Sequence, residues 1–187
     1  MKHPSNSDAP GMDVWECALE AAGLGVWDWH LGTGRCYYSE PWCRMLGYRR
    51  DELPENADLW LLLIHPDDRD RAIRSGDRHI AGQTGSIETE MRLRHKQGHW
   101  VWVLDRGSVA ERDHEGRPVR VAGVQVDITR QKQAERDLGR TNERFRLAIA
   151  ASRTGIWHFD VDREKSSWDA RTREIFGLPP GLNEIAS

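Results

Sequence analysis

The chain has 187 residues, with 27 Lys and Arg set against 30 Asp and Glu for a net charge of −3. That length suits one domain plus further material, and a slightly negative balance without a basic stripe argues against nucleic acid as a partner. No apolar run approaches membrane-spanning length, and the segment Met1 to Asp13 is too polar for a signal peptide, so the expected setting is cytoplasmic, with no membrane contact from this segment.

In chain order, residues 1–12 read as a flexible tail rich in Pro, Ser, Asn, Asp and Gly. Asp13 is placed to cap a helix through Ala22, with Val14, Cys17, Ala18 and Ala21 on its inner face. Trp27, Trp29 and Leu31 alternate with Asp28 and His30, the pattern of a half-buried strand. Arg35 to Ser39 forms a second strand after Gly32-Thr33-Gly34. Ser39 caps a short helix holding Trp42, Met45 and Leu46, and Gly47 ends it. Leu59 to Ile64 is helical and stops before His65-Pro66. Pro66-Asp67-Asp68 opens a new helix, with Ala72, Ile73, Gly76 and Ile80 as its inner stripe.

Three strands follow. Ile87, Thr89, Met91 and Leu93 alternate with Glu88, Glu90, Arg92 and Arg94, which read as a solvated face. Trp100, Trp102 and Leu104 share a face of the next strand, which runs to Ala110. The turn Asp113 to Gly116 leads into Val119 to Ile128. There the apolar phase changes at Gly123, from Val119 and Val121 to Val124, Val126 and Ile128, which predicts a β-bulge. From Thr129 a helical seam of Ala134, Leu138, Thr141, Phe145, Ala148 and Ser152 has coiled-coil spacing.

The chain also repeats itself. Shifted by 130 residues, Trp15 to Tyr48 lies on Phe145 to Leu178 without a gap, with Ala18, Ala21, Gly25, Trp27 and Gly47 recurring as Ala148, Ala151, Gly155, Trp157 and Gly177. A repeat of that length is a domain rather than a solenoid unit. The expected division is a complete domain over 13–129, a connector helix over 130–152, and the start of a second, truncated domain over 153–187.

The segments GVWDWHLGTGRCYYSEPWCRMLGY, IHPDDRD and EMRLRHKQGHWVWVLDRGSVAERDHEGRPVRVAGVQVDITRQKQAE resemble a PAS domain with its PAC segment, of the variety carrying the His-Pro-Asp-Asp element. The resemblance covers about Asp13 to Thr129 and again Asn142 to the end. It implies an α+β fold: a five-stranded antiparallel sheet, in the order second, first, fifth, fourth, third, with short helices on one face and a connector helix after it. It implies a sensory module of bacterial signal transduction, whose typical parents are sensor histidine kinases of two-component systems and cyclic-di-GMP enzymes such as diguanylate cyclases. The fragment itself carries no nucleophile–base motif or phosphate loop and is not expected to be an enzyme.

Trp27, Trp29, Tyr38, Trp42, Trp60, Ile73, Met91 and Trp102 are the candidate lining of a small-molecule pocket between sheet and helices. The same large side chains equally suit a solid core. Asp127-Ile128-Thr129 is similar to the junction that couples many PAS cores to a following helix. Thr129 would cap that helix, Ile128 plug the core beneath, and Asp127 pair with a cation such as Arg106; Leu138 lies on the seam beyond. Haem and flavin are not supported by motif. His79 is out of register for haem and reads as a surface residue, and Trp42-Cys43-Arg44 is misplaced for flavin photochemistry. His65-Pro66-Asp67-Asp68 is a helix start rather than a metal site, and Cys17, Cys36 and Cys43 read as reduced thiols. A homodimer through the terminal helices is the expected assembly. The competing reading is a ligand-free dimerisation or interaction scaffold.

Overall fold

The computed structural model describes residues 12–179 and 184–186, so the expected tail over residues 1–12 lies outside them except for Met12, which is helical. Contacts divide the chain into two units, Met1–Lys132 and Gln133–Ser187. In the first, α1 (Met12–Ala21) precedes β1 (Gly25–His30) and β2 (Cys36–Tyr38). Next come α2 (Glu40–Met45), a 3-10 turn at Arg50–Glu52, α3 (Asp58–Leu63) and α4 (Pro66–Ile80). The strands β3 (Ile87–Arg94), β4 (Trp100–Arg112) and β5 (Pro118–Asp127) complete the sheet, and α5 (Thr129–Ser152) leaves it.

The five strands pair antiparallel in the order β2-β1-β5-β4-β3, the order that the PAS resemblance implies. Alternation decides which face is covered. Ile87, Thr89, Met91 and Leu93 of β3 are buried, as are Val101 and Val103 of β4. Trp42, Leu46, Ile64, Met91, Leu93, Val103 and Val121 are the fully buried centre. The buried strand face and the helices over it remove a continuous apolar layer from water, the main favourable term in such a small fold.

Local chemistry positions the helices. Ser39 Oγ accepts from Val26 N at 2.9 Å and from Trp42 N at 3.4 Å, so one hydroxyl ties β1 to the cap of α2. Gly47 follows α2 with φ +78°, a conformation that suits glycine. His65 caps α4 through Nδ1, which accepts from Asp67 N at 3.1 Å, and Pro66 occupies the first turn. Asp68 is buried and accepts from Arg92 N at 3.0 Å and Arg92 Nε at 2.7 Å, fastening α4 to β3.

Four expectations are corrected. The stripe Val14, Cys17 and Ala18 on α1 is exposed, as is Ala21, and the helix begins at Met12, so Asp13 lies inside it. The pairing of β1 with β5 runs in unbroken register through Gly123; the irregularities of the β4–β5 pairing lie further along, between Val109 and Glu111 and between Glu111 and Arg112. Without a bulge at Gly123 the phase of β5 does not change there, and Val121, Gly123 and Gln125 face inward beside Trp29, Trp27 and Gly25. His79 is buried, not superficial. Its Nε2 accepts from Val109 N at 3.0 Å, so its Nδ1 carries the proton toward Thr84 O at 2.9 Å.

In the second unit, β6 (Trp157–Asp160), β7 (Lys165–Trp168) and β8 (Glu184–Ala186) form an antiparallel sheet in that order, with α6 (Ala170–Phe176) between the last two strands. The expected two strands and helix are joined by a third strand. Several local contacts recur at positions 130 residues apart. Ser39 N donates to Val26 O at 2.9 Å, and Asp169 N donates to Ile156 O at 3.0 Å. Trp27 pairs with Tyr38, and Trp157 with Trp168. Asp169 caps α6 through Thr172 N at 2.7 Å, as Ser39 caps α2. Trp157 is 64% exposed and Phe176 66% exposed, so this unit does not bury its large side chains.

Candidate ligand cavity

The inner sheet face and helices α3 and α4 enclose a cavity of about 290 Å³. Trp27 and Trp29 come from β1, Tyr38 from β2, Trp60 from α3, and Ile73 and Gly76 from α4. Asp105 of β4 and Gln125 of β5 provide polar groups on the sheet side, while Asp58 and Asp77, both exposed, line it from the helix side.

The placement of Trp27 depends on two missing side chains. Gly107 and Gly123 face each other on β4 and β5. A Cβ on either would stand 2.6 Å from Trp27 Cζ2, and one on Gly123 would also meet Arg106 O at 2.2 Å. The indole therefore lies over bare backbone, and its Nε1 donates to Asp105 Oδ1 at 2.7 Å. Gln125 Nε2 donates to the same oxygen at 3.0 Å, and Gln125 Oε1 accepts from Trp42 Nε1 at 2.8 Å. This Trp27–Asp105–Gln125–Trp42 chain links both sides of the sheet centre. Asp105 is only 6% exposed, and burial pushes its carboxyl up to about 6, with the Gln125 and Trp27 hydrogen bonds pulling the other way. Asp105 Oδ2 accepts no hydrogen bond among the described residues. Trp29 Nε1 is buried and has no hydrogen-bond partner among them.

Residues 35–125 match the family model described as the PAS fold. The structure superposes with a TM-score of 0.62 on a sensory box histidine kinase/response regulator from Burkholderia thailandensis, at 31% identity, covering 71% of this chain and 98% of that one. This chain belongs to the PAS family. Among curated proteins its PAS sequence is 29% identical over 182 residues to the probable diguanylate cyclase DgcE of Escherichia coli, covering 97% of the chain and 16% of that protein. It is 30% identical over 125 residues to the sensor protein FixL of Bradyrhizobium diazoefficiens, covering 67% of the chain and 24% of that protein. The chain thus spans less than a quarter of the length of either. These relatives place it among the PAS sensor domains of signal-transduction proteins.

Of the candidate lining residues, Trp27, Trp29, Tyr38, Trp60 and Ile73 stand on the wall of the PAS cavity. Trp42 and Met91 lie instead in the solid core. Trp102 is on the opposite sheet face, because Val101, Val103 and Asp105 take the inward positions of β4. Its ring lies 5.3 Å from the Arg92 guanidinium and 5.9 Å from Lys132 Nζ. The sequence reading missed Asp105 and Gln125. Their signal was strand parity: each is in phase with a buried valine, Val103 and Val121. No imidazole lines the cavity among the described residues, and the thiol on its wall, Cys36, is pushed up by burial.

The junction is built differently from expectation. Thr129 does not cap α5 with its hydroxyl: Oγ1 accepts from Trp102 N at 3.0 Å, tying the helix start to β4. Asp127 Oδ1 accepts from Thr129 N at 2.8 Å and so takes the capping part itself. Arg106 pairs with Glu88, not with Asp127. Ile128 is buried, and its N donates to Trp102 O at 2.9 Å. Lys132, in the first turns of α5, pairs with Glu90 of β3 at 2.7 Å. Leu138, further along α5, is 72% exposed. No helix among the described residues is long and apolar enough to cross a membrane.

Proposed function

We propose that this chain is the sensory input and relay part of a longer bacterial signalling protein, a histidine kinase or a diguanylate cyclase. A small molecule would enter the cavity, and the response would leave through Asp127-Ile128-Thr129 into α5. The observation that carries this reading is continuity along β5. Gln125 reaches into the cavity network, and Asp127, two residues on, caps the helix that Thr129 ties to β4. A ligand can shift such an element only by binding its two arrangements differently. In this reading the segment ending at Thr129 is the PAC segment, His65 to Asp68 is the His-Pro-Asp-Asp element, and the second unit opens a tandem PAS domain. Free Cys36 and Cys43, both buried, fit a reducing cytoplasm.

The seam on α5 supports dimerisation with a second copy. Leu138 and Phe145, 63% exposed, lie one heptad apart. A scaffold without a ligand would use that same seam, and the cavity separates the two readings. Native mass spectrometry of the purified chain should find a retained small molecule or saturable binding of an added one. In the full-length parent, Asp127→Ala and Leu138→Ala should disturb regulated output more than they lower the melting temperature. Normal regulation in both, with the domain folded, would sink the relay role.

A further inference from the structure

Resting on that ligand-binding reading, we propose that the cavity accepts a compact organic cation, a protonated amine or alkylammonium ion. Its wall carries three carboxylates, Asp58, Asp77 and Asp105, and no Lys, Arg or His. Neither Asp58 nor Asp77 has an ion-pair partner among the described residues, and both are exposed, so they attract cations toward the opening. Asp105 is buried and receives only neutral donors, through Oδ1. A buried carboxylate without a cation is costly, and a bound ammonium group beside Oδ2 would supply the missing partner.

The remaining walls suit the same class. Trp27, Trp29, Tyr38 and Trp60 surround the space with aromatic rings, whose faces attract cations, most strongly where water is excluded. Trp29 Nε1 is a buried donor left for an acceptor atom elsewhere on the ligand. An anion would meet three like charges and no cationic side chain. A bare metal ion fits poorly, since no group of three His, Cys, Asp or Glu converges among the described residues.

The test is calorimetric titration of the 187-residue chain at pH 7.5 with three probes on one skeleton: phenethylammonium, 2-phenylethanol and phenylacetate. The cation should bind at least tenfold more tightly than the alcohol, and phenylacetate should not saturate. Asp105→Asn should bring the cation down to the affinity of the alcohol, leaving the alcohol unchanged. Gly76→Leu should abolish binding of both, because a Cβ there meets open space on the cavity side of α4. The assignment is overturned if phenylacetate or the alcohol matches the cation, if Asp105→Asn leaves the cation unaffected, or if no probe binds. Failure of the underlying reading looks different: Gly76→Leu would then leave regulated output of the full-length parent unchanged.

Discussion

Asp105 and Asp68 are both buried carboxylates, and acid acts on them in opposite directions. Asp105 has neutral donors only, and its carboxyl is raised to about 6 from 3.8. The folded chain therefore holds a proton there that the unfolded chain releases. The corresponding stability is complete below about pH 4, falls as pH rises toward 6, and is absent above. A displacement of that size is worth about 3 kcal/mol. Asp105→Asn keeps an oxygen for Trp27 and Gln125 without the charge. It should raise the melting temperature at pH 7.5 and remove this falling limb between pH 4 and 6, measured by thermal melts across pH. At Asp68, burial opposes ionisation, but the Arg92 hydrogen bonds outweigh it and hold the carboxyl below its usual range. That contribution is present above the ordinary value and lost as pH falls through the lowered one. Asp68→Ala leaves the Arg92 guanidinium, itself largely buried, without its main partner. It should cost about 3 kcal/mol in denaturant unfolding near neutral pH.

At the scale of elements, Thr129 joins a helix to a strand through one oxygen. Thr129→Val keeps the shape but leaves Trp102 N without its acceptor, which should cost about 1 kcal/mol. The cap from Asp127 remains, so far-ultraviolet circular dichroism should show undiminished helix while the chemical midpoint drops. Loss of helix would mean that the hydroxyl serves α5 itself. Most element boundaries were legible because apolar alternation is strong in β1 and β3 and because Ser39, Pro66 and Gly47 mark helix ends; the sheet order came from the family resemblance, since alternation does not say which strands are neighbours. The face of β5 was not legible. Its inward positions carry Gly123 and Gln125, one making room for an indole and the other reaching a carboxylate, while Val124 and Val126 point away. An apolar pattern points to the wrong face where a strand lines a polar site. Trp102 misled for the converse reason: its large ring lies on the outer face beside Arg92 and Lys132. The inner stripe assigned to α1 failed because helical spacing specifies a face without specifying what covers it.

At the scale of the whole molecule, the exposed seam of α5 makes association a matter of concentration. If a second copy covers Leu138 and Phe145, dimer and folded state are linked by mass action. The melting temperature should rise with protein concentration, and sedimentation should show a monomer–dimer equilibrium. Leu138→Asp should abolish both while leaving the first unit folded. A melting temperature that does not depend on concentration, with a monomer throughout, would remove the seam from the assembly. The second unit, with Trp157 and Phe176 exposed, should exchange its amides faster than β3 to β5 do.

The indole of Trp27 over Gly107 and Gly123 also constrains how this sequence can drift. Alanine at either glycine collides with the ring while Trp27 is present, yet glycine inside a strand weakens it once the ring is gone. Positions 27 and 107 are therefore epistatic, and order matters. A lineage must first shrink residue 27, giving up the indole held by Asp105, before a side chain at 107 becomes an advantage; one at 123 would still meet Arg106 O at 2.2 Å. After a side chain appears at 107, the return to tryptophan is closed, so the change behaves as a ratchet.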